Sequence, residues 1–155
     1  MSWDVNNPWT KGMYFRLAQA VSFTNSFIEN AEELATSDQE ASFMIQEARF
    51  LRAYAYYVLM DMFANVPIVT KLTTDLPTQN SRVEVFNFVE SELNELTSSL
   101  PSSGGNEYGR VDKIAAHALL SILSFVGLGT YFGLILVFLR SKPTSEVPRG
   151  IITPP

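Results

Sequence analysis

Few side chains in this 155-residue sequence are able to do chemistry. The single histidine, His117, lies in an Ala/Leu-rich stretch. A general base or metal ligand there would need partners that the neighbouring sequence does not offer, so His117 reads as a helix-packing residue. Two acidic groups recur at close spacing, Glu29, Glu32 and Glu33, and Glu90, Glu92 and Glu95. Paired carboxylates can act as acid and base, but both sets stand opposite apolar stripes and read as solvated faces. No Ser/His/Asp arrangement, phosphate-binding glycine loop or metal-ligand spacing occurs. The expectation is a protein that is not an enzyme and uses no cofactor and no metal.

Two polar groups remain. Glu47, Arg49 and Arg52 sit within two turns of one helical pattern and read as an ion-paired structural set that fixes packing between helices or holds a loop. Trp3, Asn6, Asn7, Trp9 and Tyr14 gather at the N-terminal end. Sugar rings stack their apolar C–H faces on aromatic rings while amides take the hydroxyls. On that chemistry Trp3, Asn6 and Trp9 are the candidate ligand-binding residues.

These groups must be positioned by helices. Asn7 and Pro8 suit the cap and first position of a helix from Trp9 to about Ala35, with Met13, Leu17, Val21, Phe27, Ile28, Ala31 and Leu34 at helical spacing. Asn25 sits inside it, where an amide needs a specific partner. Ser37 followed by Glu40 reads as a capping box for a second helix to about Phe63. In it Ala48, Leu51, Ala55, Val58, Leu59 and Met62 share one face, with Arg49 and Arg52 on the other side. The short link at Thr36 makes the two helices antiparallel. Asn65 and Pro67 end the second helix, Asn65 as its left-handed cap. A long link, 64–80, follows, and loops of that length are often functional. Ser81 and Glu84 form another capping box before the stripe Phe86, Val89, Leu93, Leu96 and Leu100. Pro101 stops that helix, a turn-rich segment spans 102–109, and Asp112 can cap a fourth helix. The fold class is all-α, and Leu51, Ala55, Leu59, Val89 and Leu93 are expected to be buried between helix pairs.

Composition narrows the function classes. Net charge is −5 without a basic cluster, so a nucleic-acid footprint is absent. There is no cysteine in these 155 residues, so disulfides, thiolate metal sites and a lipidated Cys within them are not expected. The opening MSWDVNNPW has neither a basic nor an apolar leader region and reads as lacking a signal peptide.

The stretch Glu47–Val69, EARFLRAYAYYVLMDMFANVPIV, resembles the SusD/RagB family of outer-membrane nutrient-binding proteins. Glu47, Ala48, Arg49, Phe50, Leu51, Arg52, Ala53, Tyr57, Phe63, Val66, Pro67 and Ile68 match that family's helix and its F-G-x-V-P continuation, with Ala64 in place of the glycine. The run from Trp9, with Asn25, is similar to the family's early helix. The resemblance covers about Trp9 to Leu120, the early part of much longer proteins. It implies tetratricopeptide-like helical hairpins in a partial SusD-like domain, with Glu47, Arg49, Arg52 and Pro67 as the structural motif. It also implies nutrient (glycan) binding at the cell surface, at the outer membrane, beside a SusC-like TonB-dependent transporter. Members normally carry a secretion signal and a lipidated Cys, so this chain is expected to be a truncated member. Rival readings are a helical-repeat protein-interaction module without glycan binding and a small membrane-anchored protein.

The last reading rests on the tail. From Ile114 to Leu139 no Asp, Glu, Lys or Arg occurs, and the run 118–139 exceeds the roughly 20 residues that span a bilayer. The family pattern stops after about Ser121. The expected division is therefore a SusD-like helical region, 1–121, and a divergent apolar and Pro-rich tail, 122–155, which is either an out-of-frame sequence or a membrane segment, the former preferred.

Overall fold

The computed structural model describes residues 7–125 and 127. The described residues up to Leu123 form one compact unit; 124, 125 and 127 belong to a second. Trp3 and Asn6, and most of the apolar run 118–139, lie outside the described residues. Among the described residues no helix is long and apolar enough to cross a membrane.

The first unit is built from α1 (Pro8–Ala35), α2 (Gln39–Phe63), α3 (Arg82–Ser99) and a fourth helix, α4, that starts at 113. Local chemistry sets most of the ends. Asn7 caps α1 by accepting from the Trp9 N–H, with Pro8 at the first position where no N–H is needed. Ser81 and Glu84 form the expected reciprocal box at the start of α3. The Asp112 carboxylate accepts from the Ala115 N–H at the start of α4.

Two ends differ from expectation. The cap of α2 is Asp38, whose Oδ1 accepts from the Glu40 N–H at 2.9 Å. Ser37 instead turns its hydroxyl back to the Leu34 carbonyl. At the far end of α2 the left-handed position is Ala64, not Asn65. Ala64 adopts φ 60°, ψ −75°, and the Asn65 N–H donates to the Phe63 carbonyl across it at 2.8 Å. That is the strained form of γ-turn, and a Cβ at positive φ adds about 1–3 kcal/mol of local strain. Asn65 is used elsewhere, its Oδ1 accepting from the Arg82 N–H and so tying the end of α2 to the start of α3.

Both helix pairs are antiparallel, and the cross-links give their register. Tyr14 meets Phe63 edge-on at 5.2 Å and Asn25 meets Arg52. In the second pair Gln46 meets Ser99, Arg49 meets Glu95, Arg52 meets Glu92, and Val66 bridges Asn80. The core runs through Ala55, Tyr56, Leu59, Met60, Val85, Val89, Leu93, Leu96 and Leu100, with Ala116, Leu119 and Leu123 added from α4. Four of the five expected core residues are there; Leu51 is 53% exposed. The buried face of α2 is turned from the expected one. It runs Ala48, Arg52, Ala55, Tyr56, Leu59, so that Arg52 faces inward while Leu51 and Met62 face outward.

Candidate functional site

The inward arginine organises the site. A guanidinium is costly to bury unless its charge and most of its N–H groups find partners; at Arg52 both terminal nitrogens do and Nε does not. Arg52, 6% exposed, donates Nη2 to Glu92 Oε2 at 2.9 Å and Nη1 to Asn25 Oδ1 at 2.9 Å and to the Thr70 carbonyl at 3.4 Å. Its guanidinium also stands 6.0 Å from the Phe88 ring centroid. Arg49 completes the pairing, donating Nη2 to Glu92 Oε1 at 2.8 Å and to Glu95 Oε2 at 2.6 Å. Two cations thus face two carboxylates across the α2–α3 junction. Burial pushes the Glu92 carboxyl up, and the two guanidiniums outweigh it and hold the group below its ordinary pKa. Hydrogen bonding to Glu92, against the opposing effect of burial, raises Arg49 further above its already high value.

Glu92 is therefore not part of a solvated acidic face, whereas Glu95 stays exposed while reaching Arg49. Glu29 is exposed, and its Oε1 accepts from the Leu72 N–H at 2.8 Å. Of the expected set Glu47, Arg49 and Arg52, the two arginines share Glu92, and Arg52 alone reaches the loop, at the Thr70 carbonyl. Glu47 takes a separate partner, Arg110, through Nε at 3.0 Å and Nη2 at 3.1 Å, while Asn106 Nδ2 donates to the same carboxylate at 3.1 Å. Arg110 also reaches Glu40 at 2.6 Å, so the 102–111 loop is fastened to the N-terminal half of α2.

The second product of this network is a fixed loop. Asn25, 1% exposed, donates Nδ2 to the Val69 carbonyl at 2.8 Å. The Tyr56 hydroxyl donates to that carbonyl at 3.1 Å and accepts from the Val69 N–H at 2.6 Å. Burial raises the Tyr56 pKa, which keeps the phenol protonated as a donor. Asn80 Oδ1 accepts from the Ile68 N–H at 2.9 Å. The stretch 66–72 has no regular structure, yet its main chain is held by side chains from α1, α2 and the approach to α3. Pro67 lies within it. The sequence flagged Asn25 as needing a partner. It carried a signal for the Glu92 role too, since two arginines on an apolar helix require carboxylates opposite.

The candidate ligand residues are only partly placed. Trp9 stands on the first turn of α1, 76% exposed, beside Met13, Arg16 and Met62 around a shallow depression. Tyr14 is half-buried and turns away from it, toward Phe63 and the 66–77 loop. Trp9 and Tyr14 therefore serve different surfaces. Asn7 is the α1 cap. His117 is exposed on α4 rather than packed. Among the described residues no group of His, Cys, Asp or Glu is arranged to hold a metal ion.

Comparison with known proteins places this arrangement. The profile of the SusD-like proteins described as "Starch-binding associating with outer membrane" matches residues 2–124. The starch-binding protein SusD of Bacteroides thetaiotaomicron is 30% identical over 133 residues, 86% of this chain and 24% of that protein. A SusD-like carbohydrate-binding protein of Bacteroides fragilis superposes with TM-score 0.66 at 27% identity, over 77% of this chain and 25% of the other. A laminarin-binding SusD-like protein superposes with TM-score 0.65 at 25% identity, over 73% of this chain and 26% of the other. The chain spans about a quarter of the length of these relatives.

Proposed function

Because the chain belongs to the SusD-like family of starch-binding proteins that associate with the outer membrane, we propose that it takes part in glycan capture at the cell surface. The reading has capture without bond-making chemistry, with delivery to a SusC-like TonB-dependent transporter. It assigns binding to the helical region 1–121 and none to 122–155. The family match supports the carbohydrate class, and starch- and laminarin-type glucans are the ligands named for the relatives.

The observation that carries the reading to a residue is the Trp9 ring, 76% exposed at the start of α1 with an apolar border of Met13 and Met62. An indole held open to solvent on a rigid helix offers a flat face for a sugar ring at little entropic cost. Trp3 and Asn6 are proposed for the same surface on their chemistry and their closeness in sequence. Titration calorimetry of the full chain with malto- and laminari-oligosaccharides tests this. Trp9→Ala is expected to weaken binding by at least about 1 kcal/mol through lost stacking. Equal affinity in wild type and variant removes Trp9 from the site, and no heat with either glucan removes the glycan reading.

A further inference from the structure

A second concave feature lies away from Trp9, between α1 and the clamped loop. It encloses about 270 Å³ and is lined on one side by Tyr14, Ala18 and Ser22 of α1 and on the other by Pro67, Thr73 and Asp75. The space exists because α1 presents small residues, Ala18 and Ser22, where the loop arches past. Its volume sits just under the roughly 300 Å³ at which drug-sized pockets begin, which suits one ring rather than a chain of them.

The walls are chemically mixed. The floor is Val21, Leu59, Val66 and Val69. The rim brings an aromatic ring, Tyr14, a proline face, Pro67, and the polar side chains of Ser22, Thr73 and Asp75. The Ser22 hydroxyl is committed to the Ala18 carbonyl, and Thr73 Oγ1 accepts from the Asp75 N–H at 3.0 Å, which sets the turn that carries Asp75. The Asp75 carboxylate itself makes no hydrogen bond or ion pair within the described residues. An apolar floor, one ring to stack on and one carboxylate able to accept two hydroxyls is the recognition set of a neutral polyol ring. A cationic amine is less well served, because a cation cage needs several open aromatic faces and, of the two rings lining the cleft, Tyr56 is buried at 1% exposed, which leaves Tyr14.

The loop does not need ordering at the moment of binding. Asn25, Arg52, Tyr56 and Glu29 already hold the main chain of residues 69–72, so the entropic cost of positioning Thr73 and Asp75 is met by the fold. We propose that this cleft is a second carbohydrate subsite that takes a single neutral sugar ring, stacked against Tyr14 and hydrogen-bonded to Asp75. The assignment rests on the glycan-binding reading above and adds a position to it.

The test uses the full chain and maltotriose and laminaritriose as probes, followed by calorimetry and by amide chemical shifts. Asp75→Ala and Ala18→Leu are each expected to weaken binding roughly tenfold, the first by removing a charged acceptor and the second by filling the cleft. The amides of Ser22 and Thr73 are expected to shift on titration. Wild-type binding that neither variant weakens, with those amides unmoved, overturns the cleft and leaves the glycan reading standing. No binding of either trisaccharide to wild type overturns both. Should Ala18→Leu lose helicity, Asp75→Ala, on an exposed turn, decides the question alone.

Discussion

Two faces of the first helical hairpin invert the usual rule. Where α2 packs between α1 and α3, the interior holds Asn25 and Arg52, 1% and 6% exposed. On the outer side of α1, Trp9, Met13, Phe23, Phe27 and Leu34 stand in solvent, Phe23 at 66%. These five fall at the spacing of one helical stripe, about a third of a turn away from the side buried against α2. Hydrophobicity alone would have exchanged the two faces. Partners decide the matter: the inner amide and guanidinium find Val69, Thr70 and Glu92, whereas the outer rings have no aromatic or cationic partner among the described residues. A residue's position in this fold follows from what stands opposite it more than from its own polarity.

The strongest way to break that contrast is at Arg52. Arg52→Ala leaves Glu92 and Asn25 buried with lost partners and frees the loop at Thr70. The expected loss is about 3–5 kcal/mol in chemical denaturation. Replacing Arg52 without measurable loss would mean that the inner face does not depend on its polar pairing.

A smaller effect is expected from pH. The folded Glu92 pKa lies below its unfolded value, so the ionised form favours the fold. That contribution is complete above the unfolded value of about 4.3 and disappears as pH falls through the folded value. Thermal midpoints should fall from neutral pH toward pH 3. Glu92→Gln should be less stable at neutral pH and should lose less on acidification than wild type. A parallel pH profile for the two proteins would assign the acid sensitivity to other carboxylates.

The smallest change is predicted on the outer face. Phe23→Gln removes a ring that touches no core and should alter stability by no more than about 0.5 kcal/mol while raising solubility. A large destabilisation would show that the stripe is covered in solution.

How much of this was legible beforehand depended on distance along the chain. The caps at Asn7, Ser81 and Asp112 are local decisions, made by a side chain and an N–H two or three residues away, and the sequence carries them plainly. The stripe Val89, Leu93, Leu96, Leu100 is equally clear because α3 has one apolar face. On α2 the apolar residues occupy too much of the circumference for periodicity to choose a face. The choice fell to Arg52 and Tyr56, whose partners are tens of residues away in Asn25, Val69 and Glu92. The cap of α2 fell one residue past the expected Ser37, on Asp38, a shift of register that the capping-box spacing does not resolve. Ala64 defied reading because alanine advertises no positive φ; the position demands it and the side chain tolerates it under strain.

The clamp on the 66–72 loop has a consequence in time. Each helical hairpin closes through neighbouring stretches of chain and can gather early, at little cost in loop closure. Asn25, Arg52, Val69 and Glu92 come from four separate stretches, so their mutual bonds form only after all three helices have met. What assembles last opens first: the loop can lift from its helices in a local fluctuation, with the hairpins intact beneath it, and its amides then exchange with water long before the core's do.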